Sequence, residues 1–362
     1  MKAFVPHSLP LKNLDWTQFV HLIGKANADV ARFDGLLQSM QNPVVLLSPL
    51  TTQEAVLSSK IEGTQATLEE VLEFEADPKK RTKKYDDIQE ILNYRKAMRF
   101  SVKELDKKPL CINLLKSIHA ILLDSVRGKN RDPGNFRKSQ VYIGKPGAGL
   151  EAATYIPPEP HRVLDNLSSL EKYINSDEKD VLVQLAIIHA QFEIIHPFLD
   201  GNGRMGRILM PLFLYSKKAL SSPMLYLSAY FERNRDDYYD RLSGISKENA
   251  WEEWIIYFLN AVIEQSQINI KKAKSIHELY DHKKIKIVDL THSQFAIKTL
   301  DFIFSFPIFN SSQFVKKSRI PRASAARILG ILERGGVINV AEKGSGKRPT
   351  IYTFPKLLSI TG

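Results

Sequence analysis

Cysteine is almost missing from this chain: Cys111 stands alone among 362 residues. One thiol can make neither an intramolecular disulfide nor a cysteine-based zinc cage, so a reducing compartment is expected. Long apolar runs are missing too. The most hydrophobic stretch, Trp254 to Ile263, is about half of what a membrane span needs. The opening MKAFVPHSLPLKNLDW holds no apolar core of signal-peptide length. Internal repeats and low-complexity tracts are also lacking. These absences predict a cytoplasmic protein with no membrane partner. Net charge is absent from most of the chain as well, since residues 1–264 carry 34 basic and 34 acidic side chains.

What is present is an ordinary globular composition, 43% hydrophobic and 25% charged, on a chain long enough for two or three domains. The whole excess of +11 sits in residues 265–362, which hold 17 Lys or Arg against 6 Asp or Glu. A basic segment by itself signals no more than solubility. Its local pattern, taken up below, points further.

Helical periodicity dominates. Thr51-x-x-Glu54 and Thr67-x-x-Glu70 each match a capping box and predict two short helices, the first closed by Gly63 in a left-handed conformation. Pro78–Lys84 reads as a solvated loop, and residues 85–127 as two or more amphipathic helices. Ser139–Gly144 alternates like a strand, Pro146–Gly149 is a turn and Ala153–Ile156 returns, so 139–156 is predicted to be a β-hairpin. Asp180 to about Ile195 is apolar around most of its circumference and is expected at the centre of the fold. Met205–Leu220, Asn234–Leu242 and Trp251–Lys274 read as further helices. Lys283–Asp289 reads as a linker to a separate unit.

Between two of these helices lies His196-Pro-Phe-Leu-Asp-Gly-Asn-Gly-Arg-Met-Gly-Arg207. Gly201 and Gly203 flank Asn202, which lets the backbone turn tightly and aim N–H groups at one point, an anion nest at a helix start. Arg204 and Arg207 place two forked cations within one turn of it. Asp200 is a hard oxygen ligand beside the nest, suited to a phosphate-bound Mg²⁺. His196 is the neighbouring group whose ordinary pKa allows proton abstraction at neutral pH. His119 and His189 stand on helices without such company and read as structural.

This segment resembles the signature of the Fic proteins, H-x-F-x-(D/E)-G-N-G-R-x-x-R, at every fixed position. The resemblance extends to about residue 270. It implies a mainly α fold with a small β-hairpin flap, and transfer of AMP from ATP, with Mg²⁺, to a hydroxyl of a target protein. His196 would deprotonate that hydroxyl. Asp200 would hold the metal. Gly201, Asn202 and Gly203 would cradle phosphates through backbone and amide donors, with Arg204 and Arg207 on the β- and γ-phosphates. Met205 and Gly206 complete the nucleotide-binding stretch, and Asn234 and Tyr238 are assigned to the nucleotide farther along. The flap would pair with the target's backbone. Self-modification and a homodimer follow by the same resemblance. Reverse transfer, another nucleotide donor, and a nucleotide-sensing DNA-binding regulator are the alternatives.

Ser58-Ser-Lys-Ile-Glu62-Gly63 matches the (S/T)-x-x-x-E-(G/N) pattern of the inhibitory helix in self-restrained Fic proteins. Glu62 falls in a last helical turn, where the helix dipole disfavours a negative charge. The resemblance implies Arg207 as its partner, with the pair taking the space of the γ-phosphate. The basic tail reads as a winged helix-turn-helix. A helix capped at Asn310, a second over Arg322–Arg334 ended by Gly335, strands Val337–Val340 and Thr350–Phe354, and a basic turn Lys343–Arg348 make it up. Arg319, Arg322 and Arg327 would face a DNA groove, with Lys347 and Arg348 on phosphates. The expected layout is an N-terminal helical region at 1–100 with its inhibitory helix at about 52–63, a catalytic core at 101–275 and a winged helix-turn-helix at 290–362.

Overall fold

The structure, a computed structural model, describes residues 2–124, 127, 130–144, 151, 153–346 and 348–361. Helix α1 (Val20–Ser39) buries Ala26, Val30, Phe33 and Leu37 as one stripe at steps of four, three and four. A short α2 (Pro43–Leu46) leads into α3 (Ser48–Ile61), which carries Pro49 in its first turn. Helix α3 therefore starts before the box predicted at Thr51. Thr51 Oγ1 lies 2.9 Å from the Tyr226 hydroxyl and Glu54 turns into the core, so neither is free to cap. The helix ends as expected, with Glu62 at the C-cap and Gly63 at φ +101°.

The second capping box is real. Thr67 Oγ1 accepts from Glu70 N at 3.2 Å and Glu70 Oε2 accepts from Thr67 N at 2.8 Å, opening α4 (Leu68–Ala76). The 78–84 segment is a loop as read. Then come α5 (Tyr85–Leu105) and α6 (Ile112–Leu122). Helix α5 runs unbroken through residue 100 and ends at Leu105.

Strands β1 (Ile143–Gly144) and β2 (Ala153–Tyr155) pair antiparallel, with Ile143 opposite Tyr155. The hairpin is shorter than its alternation predicts. Arg137 donates to Ser139 O, and Gln140 Nε2 to Val141 O and Pro157 O, so side chains take carbonyls at the base of both legs. The turn Pro146–Gly149 lies outside the described residues.

After α7 (Val163–Ile174), the central α8 (Val181–Ile195) is capped by Asp180 Oδ1, which accepts from Leu182 N and Val183 N. All of α8 from Leu182 to Ile195 is buried except Glu193. Helix α9 (Asn202–Ser216) starts three residues earlier than expected, inside the signature segment, and stops before Leu220. Next are α10 (Ser228–Arg233), α11 (Arg235–Glu248) with Asn234 at its cap, and α12 (Trp251–Thr291).

Helix α12 overturns the predicted linker. It runs for 41 residues straight through Lys283–Asp289, about 60 Å at 1.5 Å per residue. The charge run misled because Ile276, Tyr280, Lys283, Ile287 and Thr291 continue a buried stripe beneath it. The stripe packs on α13 (Ala296–Ser305), which is followed by β3 (Ile308–Asn310), α14 (Ser311–Ser318) and α15 (Arg322–Arg334). Strands β4 (Asn339–Glu342) and β5 (Ile351–Thr353) and α16 (Pro355–Thr361) complete the unit, with antiparallel strand order β3-β5-β4.

The C-terminal unit is docked, not tethered. Leu68, Leu72 and Ala76 of α4 form one buried cluster with Ile308 and Ile351, and Leu358 packs against it. Asn310 Nδ2 donates to Ala76 O, and Lys80 pairs with Glu342 at 3.0 Å. Helix α3 is thus held on one side by the core and on the other by α13 and α16. No helix among the described residues is long and apolar enough to cross a membrane.

Candidate active site

The signature segment is half turn and half helix. His196 ends α8 in the left-handed region at φ +48°, Gly201 is left-handed at +78°, and α9 begins at Asn202. Two clamps hold the turn. Asn202 Oδ1 accepts from Phe198 N at 2.9 Å and its Nδ2 donates to Phe198 O at 3.0 Å. The Asn202 amide thus closes the turn with its oxygen and one of its two N–H groups. On the other side His119 stacks on Phe198 with ring centres 3.7 Å apart. His119 Nδ1 accepts from Gly134 N, so its Nε2 donates to Asp200 O at 2.9 Å. The ring is structural, as read.

What remains is an uncapped helix start. No side chain caps α9, and the first backbone N–H groups of a helix have no partner within it. Glu62 comes up against this first turn: a Cβ on Gly203 would collide with Glu62 Oε1 and sit 3.0 Å from Arg207 Nη1. Arg207, 1% exposed, donates from Nε to Ser58 Oγ and from Nη2 to Ser58 O, both at 2.9 Å, and from Nη2 to Glu62 Oε1 at 2.5 Å. Burial by itself would raise the Glu62 carboxyl, but the Arg207 guanidinium outweighs it and holds it below the usual carboxylate range. Burial would likewise lower Arg207, and Glu62 more than offsets that. Ser58, Glu62 and Arg207 are thus brought together from elements 145 residues apart.

Arg204 is also buried. Its Nη1 donates to Glu90 Oε2 at 2.9 Å, while Nη2 lies 3.8 Å from Asp200 Oδ1. The Asp200 side chain is exposed, with Oδ1 accepting from Gly201 N. Among the described residues no group of three His, Cys, Asp or Glu could hold a metal by itself. One exposed carboxylate beside an anion nest fits a Mg²⁺ whose remaining ligands are phosphate oxygens and water. Burial lowers His196 to about 4, so at pH 7 its imidazole is neutral, with a lone pair free to accept a proton, though it is a weaker base than a free histidine.

Several residues with a part here were not legible beforehand. Arg137, 2% exposed, donates from Nε to His196 O at 2.8 Å and from Nη2 to Pro158 O and Ile195 O. Its own N–H donates to Pro197 O at 2.9 Å. One guanidinium thus ties the histidine turn to both legs of the hairpin. Glu193 lies beneath Gly206, where a Cβ would collide with its Oε1, and burial raises it to about 8. Met205 is wholly buried and packs α9 instead of facing the nest.

Of the two residues assigned to the nucleotide from the later segment, Asn234 is half-buried and donates to Tyr230 O. Tyr238 is 1% exposed with its hydroxyl 2.9 Å from His189 Nε2, so its surface is not available. The adjacent Tyr239 is 42% exposed, and its phenol is raised first by burial and then by the Glu62 charge. Arg319, Arg322, Arg327 and Arg348 lie in the C-terminal unit, apart from this centre, and Lys347 is outside the described residues.

A neutral histidine beside an uncapped helix start, with two arginines held within a turn of it, defines a protein that handles nucleotide phosphates. Comparison with known proteins narrows the class. The model of the Fic/DOC family N-terminal region matches residues 20–103 and that of the Fic/DOC family matches 109–214, together more than half of the chain. The chain belongs to the Fic/DOC family. It is 25% identical over 317 residues to a probable protein adenylyltransferase of Aquifex aeolicus, a match covering 84% of this chain and 86% of that one. It is 32% identical over 116 residues to the protein adenylyltransferase fic-1 of Caenorhabditis briggsae, covering 29% of this chain and 21% of the other. The chain thus spans about a fifth of the worm relative. A Fic family protein from Desulfovibrio desulfuricans shares the fold with a TM-score of 0.62 at 20% identity, over 96% of this chain and 98% of that one.

Proposed function

We propose that this protein is an adenylyltransferase that moves AMP from ATP onto a hydroxyl side chain of a target protein, in a cytoplasmic setting. The observation that carries the reading is the neutral His196 imidazole at the mouth of the uncapped α9 start, flanked by Arg204 and Arg207. His196 takes the proton of the target hydroxyl, whose oxygen forms a bond to the α-phosphorus. The bond from that phosphorus to the bridging oxygen breaks, and pyrophosphate leaves. The α9 N–H groups and the free arm of Arg207 bind phosphate oxygens, and Arg204 holds the turn through Asp200 and Glu90. Asp200 would hold Mg²⁺, which supplies charge neutralisation on the phosphates when bound. The short β1–β2 hairpin, with Tyr142 and Ile143 exposed, offers an edge for the target's backbone.

Glu62 restrains the reaction in this reading. A carboxylate on Arg207 and against the first turn of α9 occupies an anion site that a terminal phosphate needs, so ATP enters with its α-phosphorus out of line. Gel labelling with ATP carrying α-³²P tests both claims. Label on protein that rises in Glu62→Gly and vanishes in His196→Ala supports them, and no label in any variant sinks ATP as donor.

A second reading concerns the C-terminal unit, which we take as a winged helix-turn-helix that contacts duplex DNA. Arg319, Arg322, Arg327 and Arg348 are all exposed, and among the described residues none of them forms a salt bridge. Steeply salt-dependent duplex binding by the full chain tests it.

A further inference from the structure

Asn310, the cap of α14, donates to Ala76 O, and the neighbouring Glu75 pairs with Arg95 of α5, so the end of α4 brings the C-terminal unit alongside α5, where the charges do not cancel. Lys316 and Lys317 end α14 and are exposed. Helix α5 presents Arg95, Arg99 and Lys103 at steps of four, one stripe on one face. Arg95 is committed to Glu75 at 2.6 Å. Arg99 and Lys103 are exposed and, among the described residues, neither forms a salt bridge. Lys317 sits with its ammonium 3.7 Å from the Phe306 ring centre, close enough to Lys316, Arg95 and Arg99 to feel all three, with Glu75 as the facing carboxylate. Partial burial first holds both Lys317 and Arg99 below their ordinary values; Arg95 adds to this for both, and Arg99 and Lys316 add to it for Lys317.

Two residues beyond Lys317 the basic run continues along the chain. Arg319 is exposed in the left-handed region at φ +56°, and Arg322 and Arg327 follow on the open face of α15. Folding gains nothing from gathering like charges at a seam between two packed parts, because their mutual repulsion opposes the packing. A polyanion laid across the seam reverses that sign, exchanging repulsion for phosphate contacts and released counterions. The succession of exposed cations from the end of α14 into α15, the helix that the second reading places in a groove, favours duplex phosphates over an acidic protein segment.

We propose that the duplex-binding surface of the C-terminal unit crosses the seam onto α5, with Arg99 and Lys103 contacting backbone phosphates alongside Lys316, Lys317 and Arg319. This rests on the duplex reading of that unit. A duplex so held bridges two parts of the molecule, and α5 also carries Glu90, the partner of Arg204. DNA occupancy therefore favours the docked arrangement in which α3 is held between the C-terminal unit and the core.

The test uses the full chain and a fluorescein-labelled duplex of about 30 base pairs, with affinity followed by anisotropy as salt is raised. Wild type, Arg322→Ala, and the double variant Arg99→Ala with Lys103→Ala are compared, with thermal melting to confirm that each folds. The expected result is a salt slope about one unit shallower for Arg322→Ala and about two units shallower for the double variant. Wild-type binding with an unchanged slope in the double variant overturns the seam and leaves the duplex reading standing. No wild-type binding at about 50 mM salt removes the duplex reading, and the seam with it. Tighter binding of polyglutamate than of the duplex overturns the proposal in favour of an acidic protein partner.

Discussion

Arginine is used in two opposite ways in this molecule. In the core Arg137, Arg204 and Arg207 are buried, and each is committed: one to backbone carbonyls, one to Glu90, one to Ser58 and Glu62. In the C-terminal unit Arg319, Arg322, Arg327 and Arg348 are exposed and free of salt bridges among the described residues. A buried guanidinium needs close partners to repay its desolvation, so its direction is set before any ligand comes. An exposed one keeps its hydration and its freedom until a ligand takes both. The first kind builds geometry for chemistry, and the second builds a field. The even 34 to 34 balance before residue 265 and the +11 after it are the same contrast written as charge.

Experiments can break or sharpen this contrast, starting with the largest effect. His196→Ala should lower transfer about 10²- to 10⁴-fold, the usual worth of a general base, with little change in melting temperature. A loss below tenfold in single-turnover labelling would mean that the committed cations surround something other than a catalytic base. Glu62→Gly should raise transfer about 5- to 150-fold, the range of a coupling between sites. The same change leaves Arg207 buried without its carboxylate, so melting should fall by a few degrees, and added ATP should restore more of it than in wild type. Equal ATP stabilisation of both proteins would sink the claim that carboxylate and phosphate share one site. Arg137→Met should cut kcat about 10- to 100-fold through a misplaced histidine turn, with a smaller change in KM for ATP. Arg137→Lys, which keeps charge but loses the fork, should recover little of it. Full recovery would show that charge, and not the set of carbonyl contacts, is what matters there.

The smallest effect is one of pH. Glu54 on α3 is 3% exposed, accepts from Ser228 Oγ at 2.5 Å, and is raised by burial to about 7. The folded state then binds more protons than the unfolded chain between pH 4.5 and about 7. Its contribution is whole below 4.5 and is lost as pH rises through 7. Glu54→Gln should therefore gain on wild type by a few degrees in melting temperature between pH 5 and 8. A constant offset between the two proteins across that range would show that Glu54 does not titrate there.

The site was legible where chemistry is dense in sequence. His196 to Arg207 packs base, nest and cations into one segment, and Ser58 and Glu62 lie one helical turn apart. What was not legible depends on which way a side chain turns. Nothing in Tyr238-Tyr239 tells which ring points inward; it is Tyr238. Arg137 makes its contacts with carbonyls, which every residue has, so no spacing advertises them. The fold was legible wherever a helix had a clean apolar face. It failed at Lys283–Asp289, where a run of lysines, one of them buried, masked the buried stripe of α12, and at Thr51, where a matching pair of residue types was committed elsewhere.

That unbroken α12 has a mechanical meaning. A flexible linker would let the two ends of the protein sweep through every mutual angle, and one end would then act merely as a tether raising local concentration. A strut of about 60 Å, braced by α4 against the far end, removes that freedom. Whatever the C-terminal unit grips, the mouth at His196 points in one compass direction from it. Selection of a substrate then becomes partly a matter of bearing. A hydroxyl on the wrong side of the gripped partner is out of reach, however well its sequence suits the hairpin.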